Sequence, residues 1–125
     1  MPRTTVAPAG GKVVGPYSPA VEADGLLFLS GQIPLDPATG KLAEGCVAAQ
    51  TEQCFKNLFA LLAAAGLDES HVLKATVFLT DMADFAAMNE VYARQFTHPF
   101  PARSAVAVAA LPLGARVEIE VIAKR

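Results

Sequence analysis

The run Val117-Glu118-Ile119-Glu120-Val121-Ile122-Ala123 constrains the fold more than any other part of this chain. Its β-branched residues, in alternation with acids, predict a strand over Val117–Ala123, because successive strand side chains point to opposite faces. A second strand is predicted over Arg103–Ala109, across the break Leu111-Pro112-Leu113-Gly114. Val106, Val108, Val117, Ile119, Val121 and Ile122 make both faces of these two strands substantially apolar. Helices of the same chain can cover only one side of such a sheet. The other face needs a separate cover, and identical subunits are the simplest supplier. A charged fraction of 18%, against roughly 25% in ordinary soluble domains, points the same way.

Upstream, Ala20–Ala23 and Leu26–Ser30 read as strands joined by a tight Asp24-Gly25 turn. Pro8-Ala9-Gly10-Gly11, Gly15-Pro16-Tyr17-Ser18-Pro19 and Pro34–Gly40 carry loop chemistry. Between Gly45 and Ala65, residues Val47, Thr51, Cys54, Phe55, Leu58, Leu61, Leu62 and Ala65 recur at three- and four-residue steps, a helix that Gly66 ends. Val72–Thr80 is a β-branched strand. Thr80 or Asp81 then caps a second helix over Met82–Phe96, which Pro99 and Pro101 close off. A further short strand is possible at Thr4–Val6. The order ββαβαββ describes an α+β fold with two helices on one face of a mixed sheet. At 125 residues the chain is expected to be one domain, residues 1–125, with a substantial core.

Composition argues against several functions. Net charge is −2 and no basic stripe occurs, so phosphate-tracking nucleic-acid binding is not expected. No apolar run approaches the ~18 residues of a membrane span, and the N-terminus carries no basic-then-apolar leader. A soluble, cytoplasmic protein is expected. Cys46 and Cys54 fall in the first helix, roughly 12 Å apart at ~1.5 Å per residue and beyond disulfide reach. They read as reduced residues in or near the core, and neither has a histidine at metal-ligand spacing. His71 and His98 read as loop residues without partners. The chain contains no nucleophile–histidine triad, glycine-rich phosphate loop or dinucleotide fingerprint.

Arg103 opens an apolar strand within Pro101-Ala102-Arg103-Ser104-Ala105-Val106, where its charge is costly to desolvate unless an anion answers it. Its planar fork suits a carboxylate bidentately and stays charged at any working pH. The competing reading is a structural ion pair with one of the chain's own acids. Glu118 and Glu120 share one face of the last strand. Glu118, nearer the strand start where ligands gather, is the functional candidate, and Glu120 with Lys124 reads as a solvated face. Ser30-Gly31-Gln32 ends a strand, and a glycine there admits a ligand close to the backbone and exposes its N–H. An ordinary bulge or turn would use the same residues. Tyr17 lies in a proline-bracketed loop stiff enough to place a phenol, although packing alone would account for it. Asn89 interrupts the second helix in Met88-Asn89-Glu90-Val91-Tyr92, and alone would be a surface or capping amide.

Taken together, Gly15-Pro16-Tyr17-Ser18-Pro19-Ala20, Leu29-Ser30-Gly31-Gln32, Thr76-Val77-Phe78-Leu79-Thr80-Asp81-Met82, Met88-Asn89-Glu90-Val91-Tyr92, Pro101-Ala102-Arg103-Ser104 and Val117-Glu118-Ile119-Glu120 resemble the Rid (reactive intermediate deaminase) family. The resemblance is closest to its RidA-type 2-iminobutanoate/2-iminopropanoate deaminases and runs almost end to end. It implies a chorismate-mutase-like α+β fold, assembled as a barrel-like homotrimer with ligand clefts between subunits. It also implies hydrolysis of the enamine and imine products of PLP-dependent dehydratases to a 2-oxo acid and ammonia, with no metal or organic cofactor. The family's arginine falls on Arg103 and its glutamate on Glu118. Its tyrosine, serine, glycine and asparagine fall on Tyr17, Ser30, Gly31 and Asn89. In those roles Arg103 grips the substrate carboxylate, while Glu118 activates water and returns a proton to the leaving amine. Gly31 N–H and the Ser30 and Tyr17 hydroxyls position substrate or water, and Asn89 braces the site. The alternative role for the glutamate is to stabilise the iminium charge. The chain departs from the family at Ala105, where members often carry a cysteine, so thiol chemistry is absent at that position.

In a family-like sheet the last strand lies antiparallel beside Leu26–Ser30, which sets Glu118 near Ser30 and Gly31. The Arg103 strand runs antiparallel to the last strand without touching it, so its start is expected at the opposite end of the sheet. Seven residues at ~3.3 Å put Arg103 on the order of 20 Å from Glu118. A shared site then requires Arg103 from a neighbouring subunit. Two other functions compete: a non-catalytic module sensing 2-oxo acids through the same arginine, and an RNA-cleaving translation inhibitor. The acidic balance and the missing basic–aromatic surface oppose the latter. A chorismate mutase would share the architecture alone.

Overall fold

The alternation that marks Val117–Ala123 is reproduced in space. A computed structural model describes residues 3–7, 13 and 15–125, so the loop expected at Pro8-Ala9-Gly10-Gly11 lies outside the described residues. The strands are β1 (Thr4–Val6), β2 (Ala20–Ala23), β3 (Leu26–Gln32), β4 (Leu35–Asp36), β5 (Lys41–Leu42), β6 (Val72–Leu79), β7 (Ala102–Ala107) and β8 (Val117–Lys124). The helices are α1 (Val47–Ala64) and α2 (Phe85–Gln95). Among the described residues the main sheet has six strands in the order β1-β2-β3-β8-β6-β7. Its pairings are antiparallel except for β6 with β7. β4 and β5 form a separate small hairpin where a plain loop is expected from Pro34–Gly40. Asp36 closes its turn, accepting from Ala38 N through a side-chain oxygen and from Gly40 N through its carbonyl.

In β8, Val117, Ile119, Val121 and Ala123 are buried under the helices, whereas Glu118 and Ile122 are half-buried and Glu120 and Lys124 exposed on the other face. α1 and α2 cover the first face. Phe55, Leu58 and Leu62 of α1 and Met88, Val91 and Tyr92 of α2 join Leu27, Val77, Leu79, Val117 and Ile119 in the core. Each such side chain contributes roughly 1.5–3 kcal/mol by leaving water. Between the helices, Phe55 meets Tyr92 and Phe96 edge-on, with ring centroids 5.6 and 5.7 Å apart. Among the described residues nothing covers the opposite sheet face, and Phe28 and Val106 stand 45% and 43% exposed on it.

Local chemistry explains most boundaries. Asp24 (φ 53°) and Gly25 (φ 80°) make the left-handed two-residue turn between β2 and β3. The second helix starts later than expected: Asp81, not Thr80, accepts from Ala83 N and caps a 3-10 turn at Met82–Asp84, after which α2 runs from Phe85. The Arg103 strand stops at Ala107, two residues early. Cys54 is buried, but Cys46 is the exposed residue preceding α1 rather than a core residue; both thiols are free. His71 is not partnerless either, since its ring completes a capping box with Asp68.

Candidate active site

The candidate residues fall into two groups. The first is built on a β-bulge. Leu29 pairs with Val121 and Gln32 with Ile119, so three steps on β3 span two on β8, and the extra residue falls in Ser30-Gly31. The bulge brings Gly31 against the Glu118 side chain. A methyl group on Gly31 would collide with Glu118 Oε2 and stand 3.0 Å from its Cδ, so only glycine leaves room for this carboxylate. Burial, and then the like charge of Glu120 on the same face, hold the Glu118 carboxyl above the ordinary glutamate range. The Ser30 hydroxyl donates to Ser18 O at 2.7 Å, and Ser30 N donates to Pro19 O at 2.8 Å. Ser30 therefore ties the Tyr17 loop to the sheet and retains only acceptor capacity for a ligand. Tyr17 is 51% exposed and, with Ser18, Ser30, Val21, Phe28 and Arg3, lines an open cavity of about 430 Å³.

The second group sits on the edge strand β7. Arg103 Nη1 donates to Asn89 Oδ1 at 2.6 Å, and its guanidinium carbon lies 4.7 Å from the Tyr92 ring centroid and 5.5 Å from that of Phe85. Arg94, Arg116 and Arg125 are each paired with an acid, Glu52, Asp84 and Glu22 respectively. Arg103 makes no ion pair among the described residues, so the structural ion pair weighed for it is not observed. Its charge is held by a neutral amide and two aromatic rings. Asn89 is half-buried and engaged with Arg103 rather than a free surface amide. Phe85 and Tyr92 were missed as site residues, yet the spacing Phe85, Asn89, Tyr92 is a single helix face. Ala105 faces the same side as Arg103 and packs against the core.

The two groups point away from each other. Arg103 pairs with Ala75, a fully buried core residue, and so faces the helix layer. Glu118 pairs with Phe78, which pairs with Val106, all on the uncovered face. Along the strands, Ala75 lies level with Val121, only three residues from Glu118. That corrects the expected offset on the order of 20 Å to about 10 Å along the strands and about 10 Å across them. The expected separation survives for a different reason, which is that the groups are on opposite faces of one sheet. A second cavity, about 300 Å³ beside Leu73, His98 and Phe100, contains none of the candidate residues.

Comparison with known proteins places this arrangement. A profile of the family described as Endoribonuclease L-PSP matches residues 5–125. The chain belongs to that family. Its Rid character is plain among relatives: a Mus musculus protein named 2-iminobutanoate/2-iminopropanoate deaminase is 51% identical over 96% of this chain and 87% of its own length. The structure of YyfA, a Rid-family protein from Yersinia pestis, matches with a TM-score of 0.94 at 42% identity, over 99% of this chain and 100% of that one. E. coli TdcF, solved with bound serine, matches with a TM-score of 0.88 at 40% identity over 98% of each chain. The α+β sheet with two helices on one face is thus the L-PSP/Rid fold. No helix among the described residues is long and apolar enough to cross a membrane.

Proposed function

We propose that this chain is a RidA-type deaminase, hydrolysing 2-imino acids such as 2-iminopropanoate and 2-iminobutanoate to 2-oxo acids and ammonia. The observation that carries this reading is Arg103: a guanidinium with no acid partner among the described residues, fixed by Asn89, and so ready for a substrate carboxylate. Glu118 supplies the proton chemistry. Its ionised carboxylate takes a proton from water as the oxygen bonds to the iminium carbon, and the C=N π pair moves onto nitrogen. The resulting carboxylic acid then protonates the amine, and the C–N bond breaks as the hydroxyl gives its proton back to the Glu118 carboxylate and becomes a carbonyl; the released ammonia takes that proton away as ammonium. A pKa above the usual glutamate range suits a group that must hold that proton between steps. Gly31 N–H and the Tyr17 hydroxyl position substrate or water, while Ser30 holds the Tyr17 loop.

The active assembly is a homotrimer with sites shared between subunits, Arg103 coming from one copy and Glu118 from the next. The opposite facing of the two groups and the uncovered Phe28–Val106 face support it. The substrate comes from PLP-dependent dehydratases, and neither a nucleic acid nor a membrane is a partner. The family description names an endoribonuclease, but a net charge of −2 and three arginines consumed by acids leave little to track phosphates.

The deciding measurement is the decay of 2-iminopropanoate and 2-iminobutanoate generated in situ by a PLP-dependent dehydratase. Wild type accelerates decay and Arg103→Ala does not. No acceleration by wild type would leave a non-catalytic 2-oxo acid-binding module instead. Salt-dependent RNA binding with RNA cleavage would favour the translation-inhibitor reading.

A further inference from the structure

We infer that Tyr92 and Phe85 are positioning residues, an aromatic cradle on α2 that holds the Arg103 fork ready for a substrate carboxylate. The inference rests on the reading that Arg103 grips that carboxylate. Arg103 lies on an exposed edge strand, where a long side chain would ordinarily sample many rotamers. Here one helix face restrains it at three points: the Tyr92 ring at 4.7 Å, the Phe85 ring at 5.5 Å and Asn89 Oδ1 at 2.6 Å. Asn89 consumes one N–H at one edge of the guanidinium, and the two rings hold its central carbon within cation–π distance. N–H groups remain at the other edge, which is the geometry a carboxylate needs for two parallel bonds. Fixing the fork before binding removes the ordering cost that a mobile arginine would impose on each association.

The Tyr92 hydroxyl supports a role for the ring rather than the phenol. It is buried without a hydrogen-bond partner among the described residues, in a residue only 4% exposed. Burial pushes its pKa up against the opposing pull of Arg103, so the ring stays neutral and does not compete with the substrate for the cation.

The test compares Arg103→Ala, Tyr92→Leu, Tyr92→Phe and Phe85→Leu by steady-state imine hydrolysis and by calorimetric Kd for 2-oxobutanoate. Tyr92→Leu is expected to raise KM and Kd about two- to thirtyfold with kcat within about twofold, the size and signature of a lost cation–π contact that serves binding alone. Tyr92→Phe keeps the ring and should keep wild-type KM and Kd. Phe85→Leu, at the half-buried rim, should raise both less than Tyr92→Leu, and decides the matter alone if Tyr92→Leu fails to fold. Wild-type KM and Kd in the leucine variants, beside a raised Kd in Arg103→Ala, would overturn the cradle. A fall in kcat alone, matching a lower folded fraction, would overturn it too. If Arg103→Ala itself leaves the Kd for 2-oxobutanoate unchanged, the carboxylate-binding reading of Arg103 fails first and takes the cradle with it.

Discussion

At the scale of single residues, the most demanding contact is between Gly31 and Glu118. The atoms a Cβ would strike belong to a side chain, not to backbone, so the fold can yield while the carboxylate cannot keep its place. Gly31→Ala is therefore expected to retain its melting temperature within a few degrees and lose most of its imine hydrolysis, as thermal unfolding and the decay assay would show. Loss of cooperative unfolding would instead make Gly31 structural. Glu118 gives a pH prediction with a defined sign. It must be ionised to take a proton from water, and its pKa is raised by burial and then by Glu120. Activity should fall as pH falls through that raised value. Glu120→Gln removes the second cause and leaves the first, so the acid limb of the pH–rate profile should move to lower pH. A limb that stays put would assign the titration to another group. Glu118→Gln should cost about 10²-fold or more in turnover.

At the scale of elements, periodicity foretold what local sequence controls. The hydrophobic steps from Val47 to Ala65, the Asp24-Gly25 turn and the alternation in Val117–Ala123 each became the expected element, because each depends on neighbours a few residues apart. Boundaries were less legible where a side chain chose between two caps. Asp81, one of the two expected caps, has its carboxylate within reach of Ala83 N but caps a 3-10 turn, so α2 begins only at Phe85. Features set by pairing between distant segments were only partly legible in local pattern: a bulge or turn was one of the readings of Ser30-Gly31-Gln32, while the facing of Arg103 left no local sign. The bulge at Ser30-Gly31 depends on the register of β3 against β8, and the facing of Arg103 depends on its pairing with Ala75. Tyr92 read as an ordinary helix residue, since nothing local shows that a strand 11 residues on will lay an arginine over its ring. Its unpartnered hydroxyl gives a test at this scale. Tyr92→Phe should raise stability in urea unfolding by about 1 kcal/mol, the cost of burying an unsatisfied polar group. A decrease would mean that the hydroxyl finds a partner.

For the molecule as a whole, opposite facing of Arg103 and Glu118 makes a single copy incapable of presenting both groups to one small substrate. Arg103→Ala and Glu118→Ala chains, each inactive alone, should recover part of the activity when co-assembled, because a mixed oligomer contains some sites with both groups intact. Complete inactivity of the mixture, once co-assembly is verified by mass, would count against shared sites. The same face assignment has an optical consequence. The chain has no tryptophan and two tyrosines, Tyr17 beside the Ser30 cavity and Tyr92 beneath Arg103. Nearly all of its intrinsic near-ultraviolet emission thus arises from one fluorophore on each half of the proposed cleft. In Tyr17→Phe the remaining emission is that of the ring under the guanidinium, so the protein carries its own label-free reporter of what that cation binds.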